Sequence, residues 1–276
     1  FMLLFRDNSE VSLAEIYMSF LEVPLVGKDS IKGSVCLVTG GSRGIGAAIV
    51  RAVAAEGVKV AVNYFSSENK ALELVSSLQA QGMSALAVRA DVRNSADVEA
   101  MFASVEAEFG NIDMLVNNAG VSMRELVTDT SDEQWQQVMD TNLKGAFLCC
   151  RRALPHMIRQ RYGRIVNMAS IWGITGASFE SVYAASKGGL IALSKSLASE
   201  LAPSGITVNA IAPGPIETDL LIAELDDDER ASLAEDIPAG RLGTVAEVAS
   251  ACRYFLSDDA AYINGQVLTI DGGWKP

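Results

Sequence analysis

The chain holds one histidine, His156, and four cysteines, Cys36, Cys149, Cys150 and Cys252, none of them in a C-x-x-C pair. A single imidazole leaves no His-cluster metal site and nearly removes Ser-His-Asp catalysis. His156 follows Pro155 in an Arg-rich stretch and reads as a surface residue. The cysteine pattern is neither a zinc site nor a disulfide framework, so a reducing, cytoplasmic compartment is expected. Positive charge is also scarce. Lys and Arg total 22 against 34 Asp and Glu, a net charge of −12. Such a surface disfavours general binding to nucleic acid or to an anionic membrane. No apolar run approaches the ~20 residues of a spanning helix, and there is no internal repeat or low-complexity tract.

What remains is ordinary globular composition: 276 residues, 49% hydrophobic and 20% charged. Residues 1–33 stand apart as an N-terminal extension of open role. Phe1–Phe5 is apolar, but Arg6, Asp7, Glu10, Glu15 and Glu22 then interrupt, unlike the unbroken core of a signal peptide. Val11–Val23 has the pattern of a short amphipathic helix. From residue 34 to 276 the pattern is that of one domain in which apolar runs alternate with helical stretches. Strands are expected at Val35–Thr39, Val58–Tyr64, Ala85–Ala90, Ile112–Asn118, Arg164–Ala169, Thr207–Ala212 and Val267–Ile270. Helices are expected from the glycine loop to about Glu56 and over Asn69–Gln81, Ser95–Phe109, Asp132–Gln160 (with Ser131 as cap), Tyr183–Leu201 and Val245–Leu256. Continuously apolar strands alternating with helices predict an α/β fold, a doubly wound parallel sheet of about seven strands covered on both faces.

Between the first strand and the first helix lies Thr39-Gly40-Gly41-Ser42-Arg43-Gly44-Ile45-Gly46. Its glycines allow a tight turn and close approach to a pyrophosphate, which the following helix N-terminus would attract. The spacing is Gly-x-x-x-Gly-x-Gly, not G-x-G-x-x-G, and no Gly-Lys-Ser/Thr follows, so it is not a P-loop. Asn63 ends the second strand, where NAD-specific proteins place an acid; the next acid is Glu68. Arg43 inside the loop can pair with a 2′-phosphate, so NADP(H) is favoured over NAD(H).

Further groups fall near strand ends, where open α/β sheets bind ligands: Asp91-Val92, Asn117-Asn118-Ala119-Gly120 and Ser170. Tyr183 and Lys187, at i and i+4, share one helix face. A nearby ammonium favours a phenolate, and a strand-end hydroxyl could hydrogen-bond a carbonyl oxygen as charge develops.

Taken with Asn142, Pro213-Gly214 and Asp271-Gly272-Gly273, these pieces resemble the short-chain dehydrogenase/reductase family from about Gly33 to Trp274. The resemblance implies a nicotinamide-dependent, metal-free oxidoreductase with a Rossmann-type fold. It implies Tyr183 as general acid, Lys187 lowering its pKa and holding the nicotinamide ribose, Ser170 orienting the substrate carbonyl, and Asn142 supporting a proton relay. It places Gly40, Ser42, Arg43, Gly44, Ile45, Gly46, Asn63 and Ser66 around the cofactor. Asp91 and Val92 would lie at the adenine, Asn118, Ala119 and Gly120 on the adenosine side, and Pro213, Gly214, Ile216 and Thr218 toward the carboxamide.

Within the family the texture resembles bacterial reductases of 3-oxoacyl groups on acyl carrier protein, as in Gly205–Gly214, Ile216–Asp219, Pro238–Leu242 and Tyr262–Gln266. Such members imply a homotetramer built through the long helices and the C-terminal region. Arg161 matches a docking position for the acidic carrier, Ser199 stands where an Arg is usual, and Arg151, Arg152, Arg159 and Arg164 cluster near enough to compensate. The stretch from Glu217 to Arg241 is acidic, and Ser170–Glu180 resembles reductases of a 5-aminopentanone group on elongation factor P, with Glu180 facing the substrate ammonium. A sugar or alcohol dehydrogenase, and a non-catalytic dinucleotide sensor or scaffold, stay open; the intact Ser170, Tyr183 and Lys187 favour an enzyme.

Overall fold

The protein is described by a computed structural model covering residues 31–218, 221–222 and 225–274. The helix expected at Val11–Val23, and Asp219 and Glu224 of the acidic stretch, lie outside the described residues.

Seven strands form one parallel sheet: β1 (Val35–Val38), β2 (Lys59–Tyr64), β3 (Ala85–Arg89), β4 (Met114–Asn117), β5 (Gly163–Met168), β6 (Ile206–Pro213) and β7 (Val267–Ile270), in the order 3-2-1-4-5-6-7. The inner strands alternate their side chains between two buried faces. Cys36 and Val38 of β1 point into one core, with Ile49, Val53, Leu74, Val248 and Phe255. Val35 and Leu37 point into the other, with Phe102, Val105, Leu148, Met157 and Leu201. The first core is roofed by α1 (Gly44–Ala54), α2 (Glu68–Gln79) and α9 (Val245–Leu256), the second by α3 (Ser95–Phe109), α5 (Gly145–Gln160) and α7 (Ser181–Leu201). This double burial explains why the strands read as unbroken apolar runs.

The stretch expected as one helix, 132–160, is two. Helix α4 (Asp132–Met139) begins on the expected cap, Ser131, which forms a capping box with Gln134, and a π-helical turn over Asp140–Lys144 joins it to α5. A π turn inserts a residue and rotates the side chains after it, and such turns gather at functional sites. Here it turns Asn142 inward, leaving it 1% exposed. Three features not anticipated lie beyond β5 and β6: the short helix α6 (Trp172–Thr175), helix α8 (Asp227–Asp236) on its own Asp226–Glu229 capping box, and a two-residue ladder pairing Ile216–Glu217 with Gly243–Thr244. Among the described residues, no helix is long and apolar enough to cross a membrane.

The order of strands reverses direction between β1 and β4, so the loops leaving their C-terminal ends part and open a crevice.

Candidate active site

The crevice is held open by side chains that bind backbone. Thr39 Oγ1 accepts from the Asn118 and Ala119 amides at 3.0 and 3.1 Å and donates to the Val116 carbonyl at 3.3 Å. Asn118 Nδ2 donates to the carbonyls of Thr39 and Gly40 at 3.0 and 2.9 Å. The loops after β1 and β4 are thereby stitched together. Glycine is required where they meet. Gly40 has φ +60°, and a Cβ there would lie 2.9 Å from Ala119 Cα; a Cβ on Gly46 would collide with the Gly40 carbonyl and with Asn118.

The result is a cavity of about 470 Å³ lined by Gly40, Ser42, Arg43, Gly44, Ile45, Gly46, Asn63, Ser66, Asp91, Val92, Asn118, Ala119 and Gly120. Arg43 is the exposed N-cap of α1, and the first turn behind it, Gly44-Ile45-Gly46, carries no acid and no side-chain cap, so its amides face the cavity with the positive end of the helix dipole. Loop, helix terminus and cation together fit a dinucleotide phosphate chain.

Asn63 lines this cavity but is 2% exposed. Its Oδ1 accepts from the Gly40 amide at 3.2 Å, and its Nδ2 donates to the carbonyls of Val88 and Ala90 at 3.4 and 3.1 Å. It shapes the floor rather than reaching out. Glu68 is turned toward Tyr64, whose hydroxyl donates to it at 3.0 Å. Asp91 takes a paired contact from Arg93, whose guanidinium holds its carboxyl below the ordinary carboxylate range. Arg93 in turn lies 5.5 Å over the exposed Phe65 ring. Sequence reasoning missed Phe65 and Arg93 as parts of this rim; the periodicity of β2 ends just before Phe65 and gives no sign of it.

A second cavity, of about 1210 Å³, abuts the first and shares Ile45, Asn118, Gly120 and Thr218 with it. Ser170, Tyr183 and Lys187 all line it, as do Pro213, Gly214 and Ile216. Helix α7 carries Tyr183 and Lys187 on one face, and α6 packs onto it so closely that a Cβ on Gly173 would lie 2.7 Å from the Lys187 carbonyl carbon. Ser170, just ahead of α6, lines the same cavity as Tyr183, and its hydroxyl pulls the phenol's pKa down. Lys187 Nζ lies 5.7 Å from the Tyr183 ring centroid and donates to the Met168 carbonyl at 2.7 Å. Asn142 joins the cluster from the π turn. It brackets Val121, accepting from its amide at 2.8 Å and donating to its carbonyl at 3.0 Å, and it also donates to Ser186 Oγ at 3.0 Å. Ser186 donates to the Tyr183 carbonyl at 2.7 Å. Ser186, unnoticed between two site residues in the sequence, thus links Asn142 to Tyr183.

Burial pushes the Tyr183 phenol up to about 12, while Ser170 pulls it down and Glu180 pushes it up. Burial lowers Lys187 to about 8. Both groups are wrapped in protein, and desolvation disfavours the charged form of each. At neutral pH the pair is a protonated phenol beside an ammonium, which suits proton donation.

The arginine cluster is largely self-paired. Arg152 bonds Glu99 and Glu106 at 2.8 and 2.7 Å, and the buried Arg164 bonds Asp258 at 2.9 Å. Arg151, Arg159 and Arg161 remain exposed. His156 is half-buried on α5, and all four cysteines are buried free thiols. Among the described residues, no group of acids, histidines and cysteines could hold a metal.

A doubly wound sheet with a glycine-loop cavity at its switch point, joined to a Ser-Tyr-Lys cluster, defines a nicotinamide-dependent oxidoreductase acting on CH–OH and C=O groups. The family model described as Enoyl-(Acyl carrier protein) reductase matches residues 40–275. The 3-oxoacyl-(acyl-carrier-protein) reductase FabG of Staphylococcus aureus strain Mu50 is 44% identical over 237 residues, 86% of this chain and 96% of the relative. That of Escherichia coli K12 is 43% identical over 244 residues, 88% and 98% of the two chains. The crystal structure of a putative gluconate dehydrogenase from Agrobacterium tumefaciens superposes with a TM-score of 0.85 at 33% identity, covering 89% of this chain and 97% of that one. The chain belongs to this family, the short-chain dehydrogenases/reductases.

Proposed function

We propose that the chain is an NADPH-dependent reductase that converts the 3-oxo group of an acyl chain carried on acyl carrier protein to a 3-hydroxy group. One observation carries the reaction: Ser170, Tyr183 and Lys187 converge on the wall of a large cavity that opens directly onto the glycine-loop cavity. The substrate class rests on the 44% identity to reductases of that name.

When bound, NADPH supplies a hydride to the carbonyl carbon. The residues do the rest. Arg43 pairs with the 2′-phosphate, and the α1 amides with Ser42, Gly44, Ile45 and Gly46 hold the phosphate chain. Ser66, Asp91, Val92, Asn118, Ala119 and Gly120 border the adenosine half, with Asn63 fixing the loop beneath it. Pro213, Gly214, Ile216 and Thr218 border the reacting end. Ser170 donates to the carbonyl oxygen, and Tyr183 gives it a proton. Lys187 steadies the phenolate so formed, and Asn142 holds the Val121 backbone beside the lysine for proton return.

The exposed Arg151, Arg159 and Arg161 form the basic surface for an acidic carrier. Trp135, Phe147 and Ile158 are large apolar side chains left exposed along α4 and α5, and Leu268 is exposed on the edge strand β7, which fits a homotetramer joined through those faces. The chain would act in the cytoplasm, where its buried thiols stay reduced.

A second reading has its own observation. Glu180, Glu229 and Asp236 line the larger cavity, and an acidic wall suits a cationic ketone such as 5-aminopentanone on elongation factor P. NADPH oxidation measured side by side on acetoacetyl-carrier protein and on the modified factor separates the two. Turnover on the carrier substrate alone is expected; turnover on the modified factor alone would replace the proposal with the second reading.

A further inference from the structure

One wall of the larger cavity is built from two tryptophans distant in sequence. Trp172 opens α6, and Trp274 follows β7. Their rings meet with centroids 5.0 Å apart and planes at 61°. Both line the cavity. Each is placed by backbone rather than by chance of packing. The Trp172 amide donates to Ser170 Oγ at 3.2 Å, so this indole sits one hydrogen bond from the hydroxyl that meets the carbonyl. The Trp274 amide donates to the Asp271 carbonyl at 3.0 Å, closing a turn through Gly272 and Gly273 at φ +64° and +84°. That turn is clamped by the segment that follows α8: the Ala239 amide donates to the Gly272 carbonyl at 3.1 Å, and a Cβ on Gly272 would lie 2.8 Å from Ile237 Cγ2. An edge-to-face pair leaves ring surface free to meet a third apolar group. Leu225 and Leu233 continue the apolar wall from the α8 side, whereas Arg124, Glu180 and Asp236 make other parts of the same cavity polar.

We infer that the Trp172–Trp274 pair is a chain-reading wall: it takes the alkyl portion of the substrate beyond the reacting ketone and sets the preference for chain length. The inference rests on the reductase reading above and adds to it the element that measures the acyl group. Catalysis needs only Ser170, Tyr183 and Lys187 at the carbonyl, so a paired indole wall beside them has work to do only if the substrate extends past that centre. Each methylene laid on the wall leaves water and adds to transition-state binding.

The test uses 3-oxoacyl N-acetylcysteamine thioesters of four, six and eight carbons, with NADPH, on the wild type, Trp274→Ala, Trp274→Phe and Trp172→Phe. In the wild type kcat/KM should rise roughly two- to fourfold per methylene. Trp274→Ala should flatten that dependence, and Trp274→Phe should restore most of it. Binding is read in parallel by the indole fluorescence change on titration with the same thioesters. Turnover with an identical chain-length dependence in all variants overturns the wall and leaves the reductase reading intact. No turnover, but fluorescence-detected binding that tightens with chain length and loses that trend in Trp274→Ala, supports the wall and overturns the reductase reading. Neither turnover nor chain-dependent binding overturns both.

Discussion

Lys187 Nζ faces the Tyr183 ring at 5.7 Å while donating a 2.7 Å hydrogen bond to the Met168 carbonyl at the end of β5. The lysine is thus anchored to the sheet and aimed at the phenol by one helical turn of α7. Burial alone brings it to about 8, and burial, offset by Ser170 and reinforced by Glu180, takes the phenol to about 12. Across the physiological range, then, the tyrosine keeps its proton and only the lysine titrates.

Ketone reduction should therefore lose rate as pH rises through about 8, where Lys187 loses the charge that steadies the phenolate. A pH–rate profile of kcat/KM with saturating NADPH checks this, and Lys187→Met should remove the limb along with most of the activity. Stability runs the other way. The native lysine sits below its unfolded value of 10.5, so the unfolded chain holds more protons between about 8 and 10.5. Burying the charged lysine costs stability below that window, and the cost disappears as pH rises through it. Denaturant midpoints of wild type and Lys187→Met should converge as pH is raised across the window.

Arg43 stands exposed at the mouth of the glycine-loop cavity, and a guanidinium gains far more from a phosphate than from a hydroxyl. Arg43→Ala should weaken NADPH binding by roughly 10- to 100-fold and NADH binding by less than about threefold. Isothermal titration with each nucleotide reads the difference; an equal loss for both would remove Arg43 from the 2′-phosphate.

Asn118 ties the glycine loop to the loop after β4 through two hydrogen bonds, and Thr39 closes the same junction from the other side. Asn118→Ala strands two carbonyls and should cost roughly 2 kcal/mol of stability. The same change should loosen NADPH binding, since the cradle is no longer held in shape. Thermal melts with and without NADPH would show a lower melting point in both states and a smaller rise on adding nucleotide.

Ser170 accepts from the Trp172 amide and lines the same cavity as Tyr183. Ser170→Ala removes the donor to the carbonyl oxygen, so kcat should fall by roughly 10- to 1000-fold with NADPH affinity unchanged. Stopped-flow measurement of single-turnover NADPH oxidation isolates that step.

Much of this was legible in the residues. Helices α3 and α9 and strand β7 have the boundaries that the apolar periodicity marks, because their caps and burial agree with local propensity. The glycine loop, Asn118 and Ser170 fall at strand ends, and Tyr183 and Lys187 lie on the helix where their i, i+4 spacing puts them. What stayed hidden depends on contacts between distant segments. The π turn at Asp140–Lys144 has no signature in hydrophobic spacing, since it is held by Asn142 reaching the Val121 backbone. The real task of Asn63 appears only once β2, β3 and the glycine loop are adjacent. Arg152 and Arg164 read as free charge until Glu99, Glu106 and Asp258 are seen beside them. The Trp172–Trp274 contact joins two segments that no local pattern connects.

The most direct test of the account is NADPH oxidation with acetoacetyl-carrier protein by wild type and Tyr183→Phe, with NADPH affinity measured for each. The account predicts steady turnover by the wild type, a loss of at least roughly 100-fold in the variant, and NADPH binding the same in both. Comparable turnover in the two proteins, or none in the wild type, would contradict it.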